Sequence, residues 1–311
     1  MSNAQAAILD GQNSNHFYFL EYKLLNGTTD AQVLKTLKAI EKDDIHCQSS
    51  REATTPKPTK VYKLIAFGPS LAGRLLPSTQ DLSLAPMAEL SGPEFGMPST
   101  QADILFWLHG ADVSDIYDQV MSIQNSLSGL AKLIVDQAAF TYHDSKDLIG
   151  FEDGTANPKD DARIPVALIQ NGSVNDNGAV VFTQKWQHSL EQFLALPIHE
   201  QEKVVGRTKV ENIELEADDM PDDSHVSRTD VKLEGTAMKI FRRSAPYGNA
   251  TEKGLMFLCF ACEQRRVQIQ LERMVGCSGD GLSDHLMKYS TPVTGSYWYA
   301  PSQTQLDHLI A

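Results

Sequence analysis

Apolar residues along this chain fall into short runs separated by polar, turn-rich stretches, and the runs come in a repeated order. Residues 104–108 (ILFWL) form a continuous apolar run with the length and composition of a buried strand. Behind it Asp112 is a candidate N-cap. Val113, Ile116, Tyr117, Val120, Leu127, Leu130 and Ile134 then recur at threes, fours and sevens, the spacing of a helix with one buried face. In the second half, residues 255–260 (LMFLCF) repeat the strand, Val267, Leu271 and Met274 repeat the helix, and Gly276 is its expected C-terminal stop.

Each of these pairs follows an earlier strand and helix. In the first half they are predicted at 17–23 and 30–40, in the second at 180–183 and 189–194. Further strands are predicted at 64–67 and 239–242. The order predicts βαββαβ twice, an α+β chain of two ferredoxin-like halves. Neither half shows the long βα alternation of a doubly wound sheet. The boundary is expected between 140 and 150, giving halves 1–145 and 146–311. Residues 51–60 and the proline-rich stretch 77–98 are read as loops, and the acidic stretch 211–223 as a solvated loop.

Composition narrows the partners. The chain has 311 residues, 41% of them hydrophobic, enough for a sizeable core. A net charge of −13 argues against nucleic acid or an anionic membrane as partner. No apolar run approaches the ~20 residues that span a bilayer. The opening MSNAQAAILDG lacks a basic segment followed by an apolar one, so no secretory signal is expected. Four cysteines fit a reducing compartment, and a cytoplasmic location is expected. Cys259 and Cys262 form a C-x-x-C, but on a strand positions i and i+3 face opposite ways, so they read as structural thiols rather than metal ligands.

Five stretches carry candidate chemistry: GFEDGTANP at 150–158, GRTK at 206–209, SHV at 224–226, FRRSAPYG at 241–248 and DHLMKYSTPVTGSYWYAP at 284–301. Taken singly they are ambiguous. Asp153, between two glycines, is either an Asx-type turn or an acid aimed into a pocket. His225 is a surface or core residue, or a ligand. Arg242 closes a predicted strand with Arg243 pointing the other way, and one of the two is expected to be solvated. Asp284 is a helix cap or a carboxylate buttress. Arg207 binds an anionic group or forms an ion pair.

In their order along the chain, these stretches resemble the dye-decolorizing peroxidase family, in its bacterial cytoplasmic type, most strongly over 148–301. The resemblance implies a dimeric α+β barrel-type arrangement of the two halves, with haem b (iron protoporphyrin IX) mainly in the second. His225 would be the proximal iron ligand and Asp284 the acceptor of its other imidazole proton. Asp153 and Arg242 would lie on the distal, peroxide-binding face. Arg207 would hold a propionate, and Gly150 and Gly154 would let their loop lie against the macrocycle. Ser244 stands where some members have Asn, and can still donate a hydrogen bond there. The implied activity is reduction of hydrogen peroxide with oxidation of a dye or phenol-like reductant through a high-valent ferryl state. The alternative is a haem carrier, sensor or iron-release protein. Trp186, Tyr247, Trp298 and Tyr299 are candidate electron relays, and a homo-oligomer is expected.

Overall fold

The structure, a computed structural model, describes residues 3–42 and 59–311. The loop expected at 51–60 lies outside them except for its last two residues. The first half contributes strands β1 (His16–Leu24), β2 (Tyr62–Phe67), β3 (Ile104–Gly110) and β4 (Ala131–Phe140). Its two longer helices are α1 (Asp30–Lys42) and α2 (Val113–Leu127). The strands lie antiparallel in the order β2-β3-β1-β4. The second half contributes β5 (Ala179–His188), β6 (Phe241–Arg242), β7 (Ala245–Gly248), β8 (Lys253–Ala261), β9 (Ser290–Pro292) and β10 (Ser296–Ala300). They run β6-β8-β5-β10, with β7 also on β8 and β9 on β5. Both halves thus place their strands in the second-third-first-fourth order of a ferredoxin-like unit.

The two sheets are one. Tyr299 of β10 pairs with Phe67 of β2, joining the last strand of one half to the second strand of the other. At the opposite end β7 lies against β4, repeating that relation and curling the sheet into a barrel-type arrangement. Every residue of β3 is buried, which is why its sequence reads as an unbroken apolar run instead of alternating.

Asp112 caps α2 by accepting the Ser114 N–H at 2.7 Å. The face that packs is Ile116, Val120, Ile123 and Leu127, while Val113 and Tyr117 are 53% and 52% exposed. The predicted periodicity overran the helix. Gly129 turns the chain with φ of +79°, and Ile134, exposed on β4, fits the helical spacing only by coincidence. The second half keeps its two predicted helices, one at Leu190–Leu194 and one ending at Gly276, and adds two that periodicity did not predict: in chain order after Leu194 come α3 (Ile198–Val205), α4 (His225–Thr229) and the predicted α5 (Arg265–Val275). The strand predicted at 239–242 shrinks to Phe241–Arg242, and the 77–98 connection carries a 3-10 turn, Pro77–Leu82, and a small pair of two-residue strands. Cys259 is buried in β8, and Cys262 lies one residue beyond it.

The barrel interior is filled from both halves, by Phe19, Trp107, Val181, Leu258 and Trp298 among others. One carboxyl sits among them. Glu21 is fully buried and accepts from Thr183 Oγ1 at 2.6 Å and Ser296 Oγ at 3.3 Å. Burial pushes it up to about 7 from an ordinary 4.5, the two hydroxyls opposing. Between those values the unfolded chain has lost this proton and the folded one holds it, so stability falls as pH rises through the window. At ~1.4 kcal/mol per unit the loss is on the order of 3 kcal/mol. Glu21→Gln is expected to flatten this part of the profile in urea unfolding between pH 4.5 and 7. An unchanged slope in the variant would show that another group titrates.

Candidate functional site

The loop 150–158 meets the sheet at its edge. Gly154 has φ of +80°, a conformation few side chains tolerate, and there the loop turns back on itself. Asp153 Oδ1 accepts the Gly154 N–H at 2.7 Å, and the Asn157 N–H donates to Gly154 O at 2.9 Å. The Asn157 side chain then reaches β6. Its Nδ2 donates to Arg242 O at 2.8 Å, and its Oδ1 accepts the Arg242 N–H at 2.9 Å. Because β6 ends the sheet, one side-chain amide satisfies both backbone groups of an edge residue.

This clip sets acid against guanidinium. Arg242 Nε stands 3.7 Å from Asp153 Oδ1, an ion pair too long for a hydrogen bond. Arg242 Nε and Ser244 Oγ are both buried with no protein partner among the described residues. Arg242 lines the cleft described below, and Ser244 lines the neighbouring cavity, which Asp153 and Arg242 share.

The facing group comes from α4. Ser224 caps that helix, accepting the Ser227 N–H, and His225 is its first residue. His225 Nδ1 lies 2.7 Å from Oδ2 of fully buried Asp284, and Asp284 Oδ1 accepts the Leu286 N–H at 2.9 Å. Asp284 is therefore both cap and buttress. Assigned from this partner, Nδ1 carries the proton and Nε2 keeps a lone pair, with no protein partner among the described residues.

A second imidazole on the same cleft is spent. His188 Nδ1 is 2.8 Å from Ser290 Oγ, and its Nε2 is 3.1 and 3.2 Å from the two Asp147 oxygens. Both of its nitrogens have partners, so of the two imidazoles only His225 offers a ligand atom.

Between these groups lies a cleft of about 140 Å³, walled by Ile149, Phe151, Phe257, Leu271, Met274 and Leu286. It continues into a polar mouth where Arg207 sits, held to Glu214 Oε2 at 2.8 Å and to Asn212 O at 3.1 Å. Of the two readings for Arg207, the ion pair is the one seen. A Cβ on Gly150 would stand 2.7 Å from Lys209 Cε, so the bare glycine leaves room for that side chain. Trp186 lines the cleft, while Tyr247, Trp298 and Tyr299 are buried, and Trp298 Nε1 donates to Thr183 Oγ1 at 2.8 Å. None of these four aromatics is exposed.

Arg243 departs from the expectation that one arginine would be solvated. Its guanidinium lies 5.1 Å from the Trp107 ring and donates to the Ala7, Ile8, Asp10 and Gly11 carbonyls. Sequence reading also missed the His188–Asp147 pair and the Asn157 clip. For Asn157 the only local signal was its place in an Asn-Pro turn. Nothing in the sequence links residues 147 and 188.

The family model described as Dyp-type peroxidase, C-terminal, matches residues 144–305. A dye-decolorizing peroxidase of Mycolicibacterium paratuberculosis is 31% identical over 258 residues, 81% of this chain and 72% of that one. The crystal structure of a dyp-type peroxidase protein from Shewanella oneidensis aligns with a TM-score of 0.87 at 28% identity, over 99% of both chains. A variant of Rhodococcus jostii RHA1 DypB in complex with heme aligns with a TM-score of 0.85 at 29% identity, over 99% of this chain and 100% of that one. With the family match spanning more than half of the sequence and these structures aligned from end to end, this chain belongs to the dye-decolorizing peroxidase family.

Proposed function

We propose that the chain binds haem b in the cleft between His225 and the Asp153–Arg242 pair, and reduces hydrogen peroxide at the expense of a dye or phenol-like donor. The observation that carries this reading is the two-sided cleft. One wall offers a single free imidazole nitrogen, the other an acid beside a guanidinium whose Nε has no hydrogen-bond partner among the described residues, and the space between is mostly apolar. The apolar lining and the one free imidazole nitrogen would suit haem, with His225 as the residue that would hold its iron. When bound, haem supplies a redox-active iron that takes the oxidising equivalents of peroxide.

The remaining work falls to the chain. His225 Nε2 would hold the iron, and the Asp284 carboxylate keeps the ring oriented and electron-rich. Arg207, with Gly154 and Ser244, would complete the cofactor's surroundings, Arg207 exchanging Glu214 for a propionate at the mouth. Asp153 would take a proton from one peroxide oxygen and return it to the other. Arg242 Nε and Ser244 Oγ would donate to the oxygen on which negative charge develops. Asn157 holds the strand at the distance where the acid and the guanidinium serve one small molecule.

The halves 1–145 and 146–311, a cytoplasmic setting and a homo-oligomer belong to the same proposal. Among the described residues no helix is long and apolar enough to cross a membrane.

The test is the visible spectrum of the haem-loaded protein before and after one equivalent of hydrogen peroxide. A histidine-ligated ferric spectrum that converts within seconds to an oxidised species, and returns on adding a phenol, is expected. Slow bleaching alone would favour the carrier or sensor and remove the roles of Asp153 and Arg242.

A further inference from the structure

A second cavity, of about 490 Å³, shares Asp153 and Arg242 with the cleft and opens on their other side. Its charge is opposite to that of the chain. Arg242 and Arg243 enter it from the sheet edge, and Lys146, Lys159 and Arg163 from the loop side, against two carboxylates, Asp153 and Asp160. The whole protein carries −13. Two of these cations have their donors committed. Arg243 is bound to four carbonyls, and Arg163 to Asp160 O and Leu9 O, so their charge remains while their geometry is held. Lys146 and Lys159 form no ion pair among the described residues. Phe17, Phe140, Tyr142 and Phe241 supply aromatic surface to the same cavity.

Cations over aromatic walls recognise one chemistry best. A planar ring packs on the aromatic side chains, and an acid group on that ring meets the lysines. The volume lies within the ~300–1,000 Å³ range of small-molecule sites and far exceeds what peroxide fills. A positive hollow in an acidic protein also concentrates anions by steering. We propose that this cavity is the docking site of the reductant, and that the preferred reductant is an aromatic anion, a hydroxyarene carboxylate or sulfonate. For its redox consequence the inference rests on the peroxidase reading. The balance is two donor molecules per peroxide. Each gives up one electron and its phenolic proton, the O–O bond breaks, and two waters and two aryloxyl radicals result.

The test uses three donors with the same 4-alkylphenol ring, insulated from a terminal charge by two methylenes: 3-(4-hydroxyphenyl)propionate, its neutral amide, and cationic tyramine. In the haem-loaded protein kcat/KM is expected to fall in that order at low salt, by about tenfold or more from anion to cation, and the spread to collapse as salt screens the field. The double variant K146Q/K159Q, altering two solvent-reached lysines, is expected to raise KM for the anion severalfold and leave KM for peroxide unchanged. Equilibrium dialysis of the propionate without peroxide reads binding apart from turnover. Charge-selective binding without turnover of any donor would uphold the cavity and sink the peroxidase reading. Turnover that ignores donor charge, or an anion preference that survives K146Q/K159Q, would overturn the cavity proposal and leave the peroxidase reading standing.

Discussion

Replacing Arg242 with leucine lowers kcat/KM for hydrogen peroxide by about 10²–10³-fold in the haem-loaded protein, the range lost when one preorganised donor to a developing oxyanion is removed. The guanidinium is held by its backbone through Asn157 and by Asp153 at 3.7 Å, and its Nε is buried with no other protein partner. A donor in that state needs no rearrangement when charge develops on the peroxide oxygen. Leucine keeps the apolar bulk of the stem and leaves the Asn157 clip intact, since both clip bonds go to main-chain atoms. The effect should therefore appear in peroxide reactivity and not in haem content. Asp153→Asn is the companion: it keeps the size and the turn bond to the Gly154 N–H, and removes only the proton carrier, for a loss of ~10²–10⁴-fold. Stopped-flow rates with peroxide in excess measure both. Losses below threefold in each variant would mean that the pair does not act on peroxide.

Asp284→Asn is expected to lower haem affinity by ~10–100-fold, the usual effect of losing an anionic partner behind a ligating imidazole, and to raise the reduction potential of the bound iron. Asparagine is the informative replacement. Asp284 does two jobs, accepting from His225 Nδ1 with one oxygen and from the Leu286 N–H with the other. Alanine would leave the part-buried Leu286 N–H without its acceptor, and would mix a folding defect with the ligand effect. Asparagine keeps an acceptor for the cap and replaces the negative charge facing the imidazole with a neutral amide. Haem transfer to apomyoglobin reads the affinity, and spectroelectrochemistry the potential. An unchanged potential with wild-type affinity would show that His225 is not the axial ligand.

What could be read from the sequence differed in kind between fold and site. The twice-repeated strand-helix order came from periodicity, because β1, β2, β3, β5 and β8 each bury their own residues against covering layers, and burial writes itself into local composition. The end of α2 was misplaced for a different reason. Spacing alone does not record burial: Ile134 is 39% exposed on β4 and fell into the helical count by chance. The site residues came from short motifs in order, and their grouping came from resemblance, since no period connects them.

Local sequence determined by itself the elements, the two-fold repeat, the cap at Asp112 and the turn that carries Asp153. These depend on residues within a few positions of each other. Tertiary structure alone decided that Asp284 meets His225 across 59 residues, that Asn157 clips Arg242 across 85, and that His188 spends its second nitrogen on Asp147 while His225 keeps one free. It also decided that Arg243 turns inward to Trp107 and the N-terminal carbonyls. The physical reason is that a hydrogen bond or ion pair between distant segments is set by how the packed layers bring them together. Hydrophobic periodicity, a property of one segment against its own neighbours, carries no record of which distant partner that will be.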